Sequence, residues 1–84
     1  MITARQAGWS LSYSDSSSGF QFITARDDYG NYAEFTYDGA TITAANRANT
    51  VSFFDLPLSV IALIRFWFGA ITFKEYERAL IALA

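Results

Sequence analysis

The chain has 84 residues, a length at which one domain is expected, and we place that domain over residues 1–84. Hydrophobic residues make up 52% of the chain and charged residues 17%, which excludes a disordered protein, because disorder requires low hydrophobicity and high net charge. The sequence contains no cysteine and no histidine. This excludes disulfide scaffolds, zinc sites built from these residues, cysteine nucleophiles and histidine general bases.

The net charge of −2 and the isoelectric point near 4.7 argue against a nucleic-acid-binding domain, which normally carries a basic patch. The charges are also unevenly placed along the chain. Five acidic residues and one arginine lie between residues 10 and 46, so this segment has a local net charge of −4. Residues 56–84 hold two acidic and three basic side chains. The amino-terminal half is therefore predicted to present the acidic surface.

Period-two alternation, which is typical of half-buried strands, begins at Trp9 and places serines opposite the apolar residues. A polar loop over residues 15–19 leads to a second strand over residues 20–25. Residues 2–5 repeat the Ile-Thr-Ala-Arg of residues 23–26, which suggests an additional strand at the amino terminus. We expect an antiparallel meander of three to five strands over about residues 2–54.

Asp38 and Gly39 form a typical two-residue hairpin turn between strands 32–37 and 40–44. Such a turn pairs Tyr37 with Ala40 and sets the faces of both strands. The face of the hairpin opposite its apolar residues is then polar throughout. The predicted apolar face consists of Ala33, Phe35, Tyr37, Ala40, Ile42 and Ala44.

Two helices follow, over about residues 56–68 and 73–83. Asp55 is the predicted acidic cap of the first helix, with Pro57 in its first turn, and Gly69 is its predicted end. Thr72 and Glu75 have the spacing of a capping box, which predicts the start of the second helix. Phe53 and Phe54, just before the helices, are expected to enter the core or add a short strand. The fold class is α+β, a β-meander followed by a carboxy-terminal helical hairpin.

The apolar run from residue 56 to residue 73 is 18 residues long, the lower limit for a membrane-spanning helix. Arg65 lies near its centre, and Gly69 and the helix start at Thr72 divide it. A charge at mid-span costs about 2.5–3.5 kcal/mol or more. We therefore expect no membrane span and a cytoplasmic protein.

Acidic and aromatic residues gather around the predicted turns of the meander. A metal site is one interpretation, but the spacing does not fit an EF-hand loop. Paired glycosidase carboxylates are another, but they need a deep cleft that so short a chain seldom builds. A surface that binds a basic partner protein is a third, and acids that merely cap turns and face solvent are a fourth. The predicted partner-binding residues are Asp27, Asp28, Tyr29, Tyr32, Glu34 and Asp38.

The first predicted helix is apolar almost all round, since Ser59 and Arg65 are its only polar residues. A helix of that kind is normally buried on every side. We expect the sheet and the second helix to leave part of it uncovered for a homodimer contact. A groove for another protein and complete burial within the chain are the alternatives. The predicted self-association residues are Ile64, Phe66, Trp67 and Phe68.

Nothing in the sequence predicts catalysis. The serines have no histidine to activate them, Lys74 is the only lysine, and the five glycines form no phosphate-binding loop. We expect a protein that is not an enzyme, uses no cofactor and binds no metal or nucleic acid directly.

Two resemblances add expectations. The segment Gly-Ala-Ile-Thr-Phe-Lys-Glu-Tyr over residues 69–76, with a helix on either side, resembles the turn of the short helical hairpins called SHOCT domains, which serve in assembly. The aromatic residues 66–68 depart from that family's charged helix end. In size, acidity and lack of catalytic residues, the whole chain resembles the phage-encoded inhibitors of bacterial defence called anti-CRISPRs. That resemblance rests on no shared motif.

The resulting hypothesis is a non-enzymatic inhibitor whose acidic surface occludes a basic nucleic-acid-binding surface of its partner. The anti-CRISPR resemblance implies that the partner is a Cas protein or a Cascade-type complex in the cytoplasm of a bacterial host. The alternative is an assembly module that self-associates through helix 56–68. A subunit that completes the active site of another protein also fits the sequence.

Overall fold

A computed structural model of the chain describes residues 2–15 and 21–83, and it has the predicted α+β architecture. Five strands form one antiparallel sheet in the order β1-β2-β3-β4-β5, and two helices follow. The strands are β1 (Ile2–Gln6), β2 (Trp9–Asp15), β3 (Gln21–Asp27), β4 (Tyr32–Tyr37) and β5 (Ile42–Ala44). A short 3₁₀ helix, Phe53–Asp55, precedes α1 (Leu58–Phe68) and α2 (Phe73–Leu83). The predicted serine loop after Asp15 and the predicted strand start at Phe20 lie outside the described residues.

The sheet has one apolar face and one polar face, as the alternation predicted. Leu11, Ala25 and Ala33 lie side by side on β2, β3 and β4, and all three are buried. Ile23 and Phe35 are buried in the next row of the same face. We call this the core face and the opposite side the outer face. Phe22 pairs with Ser14 and Thr36, which places it on the outer face.

The hairpin between β4 and β5 has the predicted faces but not the predicted register. Tyr37 pairs with Ile42 rather than with Ala40, so the loop contains four residues instead of two. The cause is the Asp38 carboxylate, whose Oδ1 accepts hydrogen bonds from the backbone N–H groups of Ala40 at 2.8 Å and Thr41 at 2.7 Å. Because the register moves by two residues, Phe35 and Tyr37 stay on the core face. Ala40 lies in the loop and is exposed.

The start of α1 also differs from the prediction. Asp55 does not cap the helix; it belongs to the 3₁₀ helix, where its carboxylate accepts a hydrogen bond from the Ser52 hydroxyl at 2.6 Å. Pro57 is the N-terminal cap, and its carbonyl accepts the first helical hydrogen bonds. The predicted end is confirmed, since Gly69 has φ +82°, the left-handed conformation that glycine adopts most readily.

The capping box of α2 is confirmed in both directions. The Glu75 backbone N–H donates to the Thr72 hydroxyl at 3.2 Å, and the Thr72 N–H donates to the Glu75 carboxylate at 3.0 Å. The Thr72 backbone N–H and, to a smaller extent, the Thr72 hydroxyl lower the pKa of the Glu75 carboxyl below its usual value.

Helix α1 lies between the core face and α2, which explains its apolar circumference. On one side, the Phe68 ring stacks on Tyr37 with centroids 5.4 Å apart. On the other side, the Phe66 ring stacks on Tyr76 of α2 at 5.2 Å. The 3₁₀ helix adds Phe53 to the core, whereas Phe54 is 78% exposed and does not enter it as expected. Within the described residues, no helix is long and apolar enough to cross a membrane.

Candidate functional site

The turn between β3 and β4, residues 28–31, is held by one carboxylate. Asp27 accepts hydrogen bonds from the backbone N–H groups of Tyr29 at 2.9 Å and Asn31 at 2.8 Å, and from the Asn31 side-chain amide at 2.7 Å. Gly30 supplies the positive φ, +86°, that the turn requires. The amide of Asn31 and these backbone donors lower the pKa of the Asp27 carboxyl. The turn is therefore fixed from within while its outer residues remain in solvent.

Tyr29 and Asp28 are the residues that this turn presents. The Tyr29 side chain is 92% exposed, the largest exposure among the large hydrophobic side chains of the described residues. Asp28 is also exposed, and its carboxylate lies 3.3 Å from the Arg5 guanidinium of β1. An ion pair this exposed contributes little to stability and separates readily. Both side chains can therefore meet another molecule at little cost.

Tyr32 and Glu34 lie on the outer face of β4 rather than on the turn. The Tyr32 hydroxyl donates to the Glu34 carboxylate, and the Arg26 guanidinium lies 5.2 Å from the centre of the Tyr32 ring. The hydrogen bond to Glu34 is the main cause of the raised pKa of Tyr32, so the phenol is neutral at physiological pH. Both residues are half-buried, which makes them part of the sheet surface and not an exposed rim.

Asp38 lies at the opposite end of the sheet from Asp27. The six residues of β4 separate the two turns by about 20 Å. The backbone N–H groups of Thr41 and Ala40 lower the pKa of the Asp38 carboxyl, the first having the larger effect. The six predicted partner-binding residues therefore occupy three places: the β3–β4 turn, the outer face of β4 and the β4–β5 loop. They do not form one patch.

The predicted self-association residues are largely covered by the chain itself. Ile64 and Phe68 are buried, at 0% and 4% exposure, so the expectation that they are uncovered is wrong. Phe66 and Trp67 are half-buried against the same core. The sheet and α2 cover more of α1 than its sequence suggested. The large apolar side chains that are exposed on the helical hairpin are Leu58, Phe73, Ile81 and Leu83.

A depression on the outer face was not predicted. Thr3 and Arg5 of β1 form one wall, Thr24 and Arg26 of β3 form the other, and β2 is the floor. Its volume is about 600 Å³, and no acidic residue of the described chain lines it. The two arginines are distant in sequence, so only the strand register reveals that they share a row.

The described residues contain no group of three or more acidic side chains placed to hold a metal ion. Comparisons with family models, with curated proteins and with solved structures found no match to this chain.

Proposed function

We propose that the protein is a non-enzymatic inhibitor that binds a basic surface of a partner protein through its β3–β4 turn. Following the anti-CRISPR resemblance, the partner is a nucleic-acid-handling protein such as a Cas protein or a Cascade-type complex. The inhibitor acts in the cytoplasm of a bacterial host. It occupies the surface that the partner uses for DNA or guide RNA.

The observation that carries this proposal is the exposure of Tyr29 on a turn that is already ordered. Tyrosine is enriched at the energetic centres of protein interfaces because it buries a large area and loses few rotamers on binding. The hydrogen bonds to Asp27 hold the turn before the partner arrives, so binding does not have to order it. A side chain that is 92% exposed has almost all of its surface left to bury.

Charge sets the choice of partner in this proposal. Asp28 stands next to Tyr29 and exchanges its ion pair with Arg5 for one with a basic group of the partner. The local charge of −4 over residues 10–46 steers a positive surface toward this half of the molecule. Asp27, Glu34 and Asp38 add to this field, although their carboxylates accept hydrogen bonds from this chain.

Affinity capture from a bacterial host, followed by binding assays on the captured protein, tests the proposal. We expect a partner whose binding to nucleic acid is blocked by the wild-type chain. Tyr29→Ala should weaken the complex at least about 30-fold, the scale of an interface hot spot. Phe54→Ala is the matched control, since Phe54 is an exposed aromatic residue outside the turn. A complex that tolerates Tyr29→Ala as well as Phe54→Ala would refute the proposed contact.

Self-association is the second candidate, and the exposed apolar residues of the helical hairpin favour it. Ile81 is 73% exposed on α2, a helix with no buried residue of its own. Sedimentation equilibrium over a series of concentrations decides the question. Self-association through α2 predicts a dimer that Ile81→Lys dissociates and Phe54→Lys does not. A monomer at every concentration eliminates this candidate.

A further inference from the structure

The depression on the outer face brings together groups that the protein-binding proposal does not use. Arg5, Ser10 and Arg26 lie in one row across β1, β2 and β3. Thr3, Ser12 and Thr24 form the neighbouring row on the same face. Since adjacent strands are about 4.8 Å apart, the two arginines start about 10 Å apart with a serine between them.

The depression exists because the middle strand carries short side chains where its neighbours carry long ones. The residues of β2 that face outward here are Ser10 and Ser12; an arginine flanks Ser10 on each side, and a threonine flanks Ser12 on each side. The guanidinium of Arg5 donates to the Ser10 hydroxyl at 2.7 Å, which draws this arginine over the floor. A hydroxyl that accepts such a bond still has its own proton to donate.

The arginine on the other wall is held in place as well. The Arg26 guanidinium lies over the ring of Tyr32. In this position its N–H groups, which lie at the edge of the guanidinium plane, can still donate hydrogen bonds. The nearby carboxylate of Glu34 accepts a hydrogen bond from the Tyr32 hydroxyl, so it is engaged on β4. Asp28 contacts Arg5 from the rim, at 3.3 Å.

We propose that this depression binds a phosphate group. Two guanidinium forks and four hydroxyls offer more donors than the two oxygens of a carboxylate can accept, whereas a phosphate presents three or four oxygens and up to two negative charges. Both walls carry an arginine and the floor is neutral, in a chain whose net charge is −2, which makes the site selective for anions. At about 600 Å³, the depression has room for the organic part of a small phosphate monoester.

Nuclear magnetic resonance titration tests the site on the whole protein, with the backbone and arginine Nε–H signals as the readout. The probes are sodium phosphate and glycerol 3-phosphate, each compared with sodium chloride at equal ionic strength. We expect saturable shifts at Arg5, Ser10 and Arg26, with a dissociation constant of about 1–10 mM. Tighter binding of glycerol 3-phosphate identifies a phosphate ester as the ligand, and equal binding identifies the phosphate group alone. Shifts that sodium chloride reproduces in full would overturn the proposal.

Substitutions distinguish phosphate binding at a localised site from a general attraction of phosphate to positive side chains. Arg26→Gln should weaken phosphate binding at least about tenfold, because it removes charge-assisted hydrogen bonds. Arg26→Lys should recover part of the loss, since lysine retains the charge but not the fork. Arg78→Gln, an exposed arginine of α2, is the matched control and should change nothing. Equal losses in Arg26→Gln and Arg78→Gln would contradict a localised site.

The Asp28→Asn substitution distinguishes phosphate binding in the depression from the proposed binding of a partner protein. Asp28→Asn removes the carboxylate that competes for Arg5, so phosphate should bind about two- to fivefold more tightly. The same change should weaken the complex with a basic partner protein. Weaker phosphate binding in Asp28→Asn would overturn the role given to Arg5 and would leave the partner-binding proposal untouched.

Discussion

At the scale of single residues, most carboxylates of the acidic half serve the fold before they serve any partner. Asp27 and Asp38 each accept backbone hydrogen bonds inside a turn, and the Glu34 carboxylate accepts a hydrogen bond from the Tyr32 hydroxyl. Asp28 differs, because its contact is an exposed ion pair with Arg5. The composition showed how many acids the segment holds, but only the turn geometry shows which of them is available.

The hydrogen bonds to Asp27 predict a pH dependence of stability. Its folded-state pKa lies below the usual 3.8, so its contribution is complete above that value and is lost as the pH falls through the folded pKa. Asp27→Asn keeps an acceptor but cannot titrate. We therefore expect this variant to lose less stability than the wild type between about pH 5 and about pH 3, measured by urea unfolding.

The control for this experiment is Asp28→Asn on the same turn, because the Asp28 carboxylate contacts Arg5 and not the turn backbone. On acidification, the stability of Asp28→Asn should fall more nearly as the wild type's does than the stability of Asp27→Asn does. If Asp27→Asn and the wild type lose stability equally, the carboxylate does not hold the turn as described.

At the scale of elements, the features that could be predicted from the sequence are those determined by residues close together in the chain. The capping box of α2 and the glycine end of α1 are set by residues within one helical turn, and both were predicted. The β1–β2 turn was missed because it places Ala7 at φ +50°, a conformation that few residues other than glycine adopt. The burial of Ile64 and Phe68 depends on how α2 and the sheet pack around α1, which no single segment encodes.

The central position of α1 predicts unequal effects of two isoleucine substitutions. Ile64 has no exposed surface, so Ile64→Ala should lower the free energy of unfolding by about 2–5 kcal/mol. Ile81 on α2 is 73% exposed, and Ile81→Ala should change it by no more than about 0.5 kcal/mol. Chemical denaturation measures both. Equal effects would show that α1 is not enclosed between the sheet and α2.

At the scale of the whole molecule, each of the functions that we propose belongs to a different surface. The β3–β4 turn offers an exposed tyrosine beside an acid, the outer face offers a positive depression, and the helical hairpin offers exposed apolar side chains. The sequence predicted that Asp28 and Tyr29 lie in a turn, because turn chemistry is local. It could not identify the row of Arg5, Ser10 and Arg26, because strand pairing brings those residues together from distant segments.

The plating efficiency of phage on bacterial strains with active CRISPR–Cas systems tests whether the protein inhibits such a system through its β3–β4 turn. Each strain expresses the chain and is challenged with a phage that its CRISPR–Cas system targets. We expect the wild-type chain and Phe54→Ala to restore plating in a strain whose system contains the partner, whereas Asp28→Ala combined with Tyr29→Ala should not. Equal restoration by the double variant and the wild type would refute inhibition through this turn. Failure of the wild-type chain in every strain that produces it in folded form would refute the inhibitor function.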